Sequence, residues 1–156
     1  MRLYLVQHGE AKPKEEDPDR SLTAKGEGDV RRVAALAKRA GIKVSQIRHS
    51  GKRRAEQTAT ILAKQLHPPR GVAAKSGLDP KDDVKPVAKA LADESDDLLI
   101  VGHLPFLERL AARLVGGDPE QELVRFQMGG IVCLERWEES RWAIAWMVTP
   151  DLLREE

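Results

Sequence analysis

The spacing of apolar and polar residues along the chain predicts strands and helices in alternation. Short apolar runs over residues 3–6 and 98–101 predict buried strands, residues 46–49 a weaker strand, and residues 71–74 a short edge strand. Apolar stripes that recur every three or four residues predict the helices between them. These helices are expected from the cap Thr23 to about Ala40, over residues 52–66, from Asp82 or Asp83 onward, and over residues 104–116.

The C-terminal region predicts a β-hairpin, in which residues 131–137 pair with residues 141–148 across a turn at 138–140. By the two-residue period of a strand, one face would carry Trp142, Ile144, Trp146 and Val148. Strands that alternate with helices predict an α/β three-layer sandwich, with a mostly parallel central sheet, helices on both faces and this antiparallel hairpin. The chain of 156 residues suits one domain spanning residues 1–156.

The composition narrows the functional classes. Apolar residues make up 41% of the chain, as in a globular protein, and 26 Lys and Arg nearly balance 25 Asp and Glu. The resulting net charge of +1 argues against a nucleic-acid binder. The single cysteine, Cys133, excludes an internal disulfide and a cysteine-ligated metal site. Because no apolar run approaches the ~18 residues of a membrane span and no signal-peptide pattern is present, we expect a cytoplasmic enzyme or binding domain without membrane contact.

Two histidines stand at the ends of predicted buried strands. His8 and His103 each lie beside a glycine, and the carboxyl ends of parallel strands meet at one edge of a sheet. Arg54 opens the helix after the second strand, where free N–H groups and a guanidinium favour an anion. Each feature alone is more often structural, but together they can bind and attack a phosphoryl group. One imidazole must be neutral to act as nucleophile, and the other, protonated, stabilises the phosphoryl oxygens.

Four segments of the chain, in this order, resemble the motifs of a known family. They are LVQHGE at residues 5–10, RSLTAKG at 20–26, SGKRRAEQTA at 50–59 and VGH at 101–103. Each motif alone is weak, but their order and spacing agree over nearly the whole chain. The sequence resembles the histidine phosphatase superfamily, the phosphoglycerate mutase-like proteins, and among them the small phosphohistidine phosphatases.

The resemblance implies a role for each matching residue. His8 would be the nucleophile and form a phosphohistidine, Arg54 would hold phosphate oxygens, and His103 would be the second catalytic histidine. Neighbouring motif positions would also bind phosphate: Gln7, Gly9, Arg20, Ser50 and Gly102. Water would then release inorganic phosphate, with no metal or other cofactor. The partner would be a phosphorylated protein of the histidine-phosphotransfer type or a small phosphoester.

One position departs from the family pattern. The family carries arginine immediately before the nucleophile, whereas this chain has Gln7. A hydrogen bond between neutral groups contributes about 0.5–1.5 kcal/mol, against about 1.5–3 kcal/mol for one to a charged group. Phosphate binding or turnover would lose about one or two orders of magnitude unless another cation replaces the charge. Arg20 is the favoured replacement, ahead of Lys12 and of Arg48, which is expected to face solvent or a carboxylate.

The general acid is the second open position. Larger family members carry a carboxylic acid that protonates an alkoxide leaving group, and the candidates in this chain are Glu10, Asp79 and Asp82. The two aspartates fit turn and cap positions better than a catalytic role. An imidazole, with a pKa of about 6.5, leaves far more readily than an alkoxide. A phosphohistidine substrate would therefore demand little acid catalysis.

Two alternatives stay open at this point. A small-molecule phosphomonoester phosphatase of the same fold would need an acid near the site. A catalytically weak, phosphate-binding regulatory protein would fit Gln7, although binding alone does not need two imidazoles. Of the other notable residues, His49 is a candidate for the pocket wall, His67 for the surface and Cys133 for the core.

Overall fold

In a computed structural model, which describes residues 1–154, six strands form one sheet. The strands are β1 (Arg2–Gln7), β2 (Gln46–His49), β3 (Val72–Ala74), β4 (Leu98–Gly102), β5 (Ile131–Glu138) and β6 (Arg141–Val148). They lie side by side in the order β3-β2-β4-β1-β5-β6. The pairs β2–β3, β2–β4 and β1–β4 are parallel, whereas β5 runs antiparallel to both β1 and β6.

Helices cover both faces of this sheet. Within the described residues they are α1 (Ala24–Arg39), α2 (Arg53–Leu66), α3 (Lys85–Leu91) and α4 (Phe106–Gly116). Successive residues of a strand point to opposite faces. Leu3 and Leu5 of β1 therefore pack with α3 and α4, while Tyr4 and Val6 pack with α1 and α2. These two packed groups, named here the α3–α4 layer and the α1–α2 layer, confirm the predicted three-layer sandwich.

The sheet brings the ends of β1 and β4 side by side. Gln7 at the end of β1 is level with Gly102 at the end of β4. The His8 N–H extends the ladder by donating to the Gly102 carbonyl at 3.1 Å. All five residues of β4 are buried, so the strand that precedes His103 is firmly packed in the interior. His8 and His103 consequently leave the sheet at the same edge.

The third helix begins later than the sequence pattern predicts. It starts at Lys85 and not at Asp82 or Asp83, because those two carboxylates are used in the preceding turn. Asp82 accepts the Asp79 N–H at 2.8 Å, and Asp83 accepts the Lys85 N–H at 3.0 Å. Asp83 thus ends the turn and satisfies the first free N–H of the helix. Pro86 lies in the first turn, where its missing N–H costs nothing.

The C-terminal hairpin is confirmed, but the prediction for its side chains is wrong. The pairing of β5 with β6 shifts between Cys133 and Leu134, so that Ala145 of β6 is an extra, unpaired residue. Such a β-bulge reverses the alternation of side chains beyond it. Trp142 therefore packs in the α3–α4 layer and Trp146 against the α1–α2 layer. The two faces of β6 carry different pairs: Trp142 with Ile144, and Trp146 with Val148.

A short 3-10 helix, Pro150–Leu153, follows β6 and packs against α1. The sequence pattern does not predict it. None of the helices within residues 1–154 is both long and apolar enough to cross a membrane. The cytoplasmic location expected from the sequence stays a prediction.

Candidate active site

The backbone holds His8 in one tautomer. His8 directly follows β1 and is 9% exposed. Its Nδ1 lies 2.7 Å from the carbonyl oxygen of Gly9. A carbonyl can only accept, so in the neutral ring Nδ1 carries the proton and Nε2 keeps its lone pair. Nε2 is therefore the atom of His8 that can attack an electrophile.

The surroundings of His8 keep its ring neutral. Burial lowers the pKa of His8 from its ordinary value of 6.5 to about 4. The bond to the Gly9 carbonyl opposes this shift, whereas the positive charges of Arg54 and Arg20 add to it. At neutral pH the lone pair on Nε2 is consequently available.

His103 follows β4 and faces His8. The two ring centroids are 5.1 Å apart, and the ring planes are inclined by 49°. His103 is 2% exposed, and its Nε2 lies 2.6 Å from the hydroxyl oxygen of Ser50. That hydroxyl can donate to an unprotonated nitrogen or accept from a protonated one. Nδ1 of His103 is buried and has no hydrogen-bond partner among residues 1–154.

The sequence interpretation has one of the two imidazoles protonated, and the protein alone does not favour this. Burial lowers the pKa of His103 to about 3, and the neighbouring His8 ring is the next cause. The positive charges of Arg54, Lys52 and Arg20 lower it further. Since these neighbours are all cationic, a phosphoryl dianion arriving among them would shift the balance back toward a protonated ring.

Arg54 and Arg20 supply positive charge at this edge of the sheet. Arg54 lies in the first turn of α2, and its Nε is buried without a partner in the described part of the chain. Burial and the charge of Arg20 lower its pKa. Arg20 has a left-handed backbone with φ of 51°, and its Nε donates to the Lys12 carbonyl at 3.0 Å. The positive charge of Arg20 lowers the pKa of Arg54 and of both histidines.

Gln7 and the remaining candidate cations, Arg48 and Lys12, differ in the hydrogen bonds that they form within the protein. Gln7 presents a buried Oε1 that has no partner within residues 1–154. Arg48 bonds the Glu94 carboxylate at 2.8 Å, in agreement with the expectation that it faces a carboxylate. Lys12 contributes its backbone carbonyl to Arg20. Lys52, which the sequence analysis does not single out, lies close enough to depress the pKa of His103.

Helices α1 and α2 fix the backbone around His8. The Gly9 N–H donates to the Thr58 hydroxyl at 3.0 Å, and that hydroxyl donates to the Arg54 carbonyl at 2.8 Å. A Cβ on Gly26 would overlap the Glu10 carbonyl, so α1 sits directly on the segment after His8. Sequence reasoning missed Thr58, although it belongs to the SGKRRAEQTA motif and follows Arg54 by one helical turn. Its position in that motif is the signal that could have found it.

Three predicted phosphate contacts have bonds within the protein. The Gly9 N–H is used by Thr58, the Gly102 carbonyl accepts the His8 N–H, and the Ser50 hydroxyl meets His103. Their contact with phosphate stays a prediction.

The candidate acids stand in two different places. Glu10, two residues after His8, accepts the Thr23 hydroxyl on its Oε2 at 2.7 Å. Asp79 is exposed, and Asp82 closes the turn on it, as the favoured interpretation has it. Within residues 1–154, no salt bridge joins a carboxylate to His8 or His103.

The remaining histidines and the cysteine lie apart from the facing rings of His8 and His103. His49 is 4% exposed, and its Nδ1 accepts the Gly51 N–H at 3.0 Å. His67 is exposed at the end of α2, and Cys133 is fully buried in the core. The described residues contain no group of three or more His, Cys, Asp or Glu that could hold a metal ion.

Known proteins share both the sequence motifs and the fold. The family described as "Histidine phosphatase superfamily (branch 1)" matches residues 3–79. The protein histidine phosphatase SixA, solved in complex with tungstate, superimposes with a TM-score of 0.87 at 25% identity, covering 99% of this chain and 100% of that chain. The chain belongs to the histidine phosphatase superfamily.

Two further proteins are similar to this chain in sequence or in fold. An uncharacterized protein from Picosynechococcus sp. is 34% identical over 142 residues, which are 86% of this chain and 84% of that protein. A phosphoserine phosphatase from Entamoeba histolytica, solved with 3-phosphoglyceric acid, has a TM-score of 0.73 at 17% identity. It covers 94% of this chain and 95% of its own, and it shows the fold alone. The superfamily and its phosphatase members support a phosphatase, a hydrolase acting on phosphate groups.

Proposed function

We propose that this chain is a phosphatase in which His8 is the nucleophile, and that its substrate is phosphohistidine on a protein. The observation that carries the proposal is the bond between His8 Nδ1 and the Gly9 carbonyl. It leaves Nε2 unprotonated beside a second imidazole and two arginines, which is what an attack on a phosphoryl group requires. The lowered pKa of His8 supports the same assignment.

In the first step, the Nε2 lone pair attacks phosphorus and the P–N bond of the substrate breaks. Its electron pair returns to the substrate imidazole, which leaves as a neutral ring when its other nitrogen already carries a proton. His8 becomes a phosphohistidine and keeps its proton on Nδ1. Arg54, Arg20 and protonated His103 stabilise the charge on the phosphoryl oxygens, with Gln7 offering a neutral amide.

In the second step, water attacks the phosphorus of phosphorylated His8. The P–Nε2 bond breaks, its electron pair returns to Nε2, and inorganic phosphate leaves as the dihydrogen ion, carrying both protons of the water molecule. His8 is thereby restored as a neutral ring with Nδ1 protonated. This sequence uses the two histidines and the cations of the site and needs no cofactor.

The choice of phosphohistidine rests on the leaving group. Glu10 is the carboxylate closest in sequence to the nucleophile, and its Oε2 is already bonded to Thr23. A neutral imidazole needs far less help from an acid than an alkoxide does. Similarity to SixA over nearly the full length of both chains supports a protein-borne substrate of the same kind.

The decisive experiment compares two substrates: a histidine-phosphotransfer protein phosphorylated on histidine, and p-nitrophenyl phosphate. Phosphate release and acid-labile label on the enzyme are followed for the wild type, for His8→Ala, and for His67→Asn as a control at an exposed histidine. We expect release from the phosphoprotein, with transient label that only His8→Ala abolishes.

Two results would contradict the proposal. Release from the small ester alone would make the chain a phosphomonoester phosphatase. Binding of phosphate without turnover of either substrate would make it a regulatory phosphate-binding protein, with Gln7 as the cause.

A further inference from the structure

The turn between β2 and α2 places a hydroxyl on the second catalytic histidine. It consists of three residues, Ser50, Gly51 and Lys52, between the last residue of β2 and the first of α2. The Ser50 hydroxyl lies 2.6 Å from Nε2 of His103 and accepts the Lys52 N–H at 3.3 Å. Gly51 has a φ of 93°, a conformation that only glycine adopts without strain. The direction of the Ser50 hydroxyl therefore depends on how this short turn is held.

His49, the last residue of β2, forms a side-chain hydrogen bond to this turn. It is 4% exposed and lies level with Val101 of β4, on the face toward the α1–α2 layer. Its Nδ1 accepts the Gly51 N–H at 3.0 Å, two residues further along the chain. A side-chain acceptor that bonds the N–H two residues on is the geometry of an Asx turn, in which Asp or Asn normally supplies the acceptor.

We propose that His49 is a positioning residue: by holding the Gly51 N–H it fixes the Ser50 hydroxyl on His103. The inference rests on the proposed function, in which His103 stabilises the phosphoryl oxygens. It assigns His49 to the catalytic machinery by an indirect route, without contact to the substrate. Two consecutive hydrogen bonds, from Gly51 to His49 and between Ser50 and His103, carry the effect.

The protonation state of His49 suits this role. An acceptor on Nδ1 requires an unprotonated nitrogen, and burial lowers the pKa of His49 while the charge of Glu56 opposes the shift. An apolar side chain at position 49 would fill the volume but leave the Gly51 N–H without its acceptor. The turn would then keep only the 3.3 Å bond from the Lys52 N–H to the Ser50 hydroxyl.

The test is a double-mutant cycle on the full-length chain. His49→Leu keeps a side chain of similar size and removes the acceptor, whereas His49→Asn keeps an acceptor at the Asx-turn position. Ser50→Ala removes the hydroxyl, and His49→Leu/Ser50→Ala combines the two changes. His67→Asn is the control histidine variant, and thermal melting of every variant checks folding.

We expect His49→Leu and Ser50→Ala each to lower kcat on the phosphohistidine protein roughly five- to tenfold, the effect of one hydrogen bond. The double variant should be no slower than Ser50→Ala, because the two residues act in series. His49→Asn should regain most of the wild-type kcat. Independent, multiplying losses, or an inactive His49→Asn that melts like the wild type, would overturn the proposal.

A second readout separates this inference from the proposed function. The dissociation constant for tungstate is measured across the same cycle, since it needs the site but no turnover. If the wild type binds tungstate but turns over no phosphohistidine, the proposed function fails while the cycle still tests the coupling of His49 to Ser50. If the wild type turns over its substrate and the losses multiply, only the role of His49 fails.

Discussion

The ends of β1 and β4 carry two imidazoles 5.1 Å apart, and the protein holds them in different ways. At the end of β1, the ring of His8 bonds the carbonyl of the next residue, Gly9. At the end of β4, the ring of His103 bonds a side-chain hydroxyl from another segment, Ser50. The first bond cannot be removed by changing a side chain, and the second can.

The difference fits the roles proposed for the two rings. A nucleophile needs one tautomer throughout the cycle, and a carbonyl that only accepts enforces it. A ring that is neutral in the free protein and protonated beside a phosphoryl dianion needs a partner suited to both states, and a hydroxyl is suited because it both donates and accepts. Substitutions at the two strand ends therefore test whether His8 forms the covalent intermediate and His103 stabilises charge on the phosphoryl group.

The largest effect is expected from His8→Ala. Removing the nucleophile should lower kcat by about 10⁴-fold or more, as for other groups that act covalently. Acid-labile label on the enzyme should disappear completely, while tungstate still binds through Arg54 and Arg20. Stopped-flow phosphate release and labelling from the phosphohistidine protein measure both effects. Retention of label in His8→Ala would move the nucleophile to another residue.

The next largest effect is expected from His103→Ala, at the end of β4. We expect kcat to fall by about 10²- to 10³-fold, the usual cost of losing one group that stabilises transition-state charge. Label should still form, slowly, because Nε2 of His8 is intact. A variant that loses labelling as completely as His8→Ala would show that the two strand ends do not divide the work.

Exchanging charged and neutral side chains at positions 7 and 20 should have a smaller effect. Arg20→Gln should lower kcat/KM about tenfold, and Gln7→Arg should raise it by a similar factor, since each exchanges a charged for a neutral hydrogen bond to phosphate. Combining the two changes should return kcat/KM close to that of the wild type. If Gln7→Arg leaves the rate unchanged while Arg20→Gln lowers it, Arg20 already replaces the missing charge fully.

Titration of the two rings sharpens the comparison without any turnover. Burial puts the pKa of His8 at about 4 and that of His103 at about 3, so both rings stay neutral from pH 8 down to pH 5. Below that range protonation removes the Nε2 lone pair of His8, and labelling should fall as pH falls.

Imidazole NMR follows each ring, and tungstate should raise the pKa of His103. Ser50→Ala should change the tautomer of His103 and leave that of His8 alone.

The site could be predicted because its parts are local in the sequence. Each histidine follows an apolar run, and parallel pairing alone brings the two strand ends together. What the pattern of apolar and polar residues could not supply are individual side-chain hydrogen bonds, whether between distant segments or within one turn. The Thr58 hydroxyl reaches Gly9 from α2, and His49 orients its turn by a contact that no periodicity encodes.

The fold class and the order of the strands and helices could be predicted from the sequence. The structure departs from the prediction at the start of α3 and along β6. Carboxylates in the turn before α3 delay that helix to Lys85. In β6, the extra residue Ala145 cancels the two-residue period that predicted one apolar face. In both places a repeating pattern is interrupted locally, by carboxylates that accept backbone N–H groups before α3 and by one unpaired residue in β6.

The bulge at Ala145 turns the tryptophans into separate optical reporters. Trp142 lies in the α3–α4 layer beside the Arg136 guanidinium, 5.4 Å from its ring, and Trp146 lies 6.0 Å from Tyr4 on the opposite side of the sheet. Trp137 is 59% exposed and senses water. A chain that keeps only Trp142 fluoresces from one half of the interior, and one that keeps only Trp146 from the other. Denaturation followed on the two chains would reveal whether the halves melt together or one after the other.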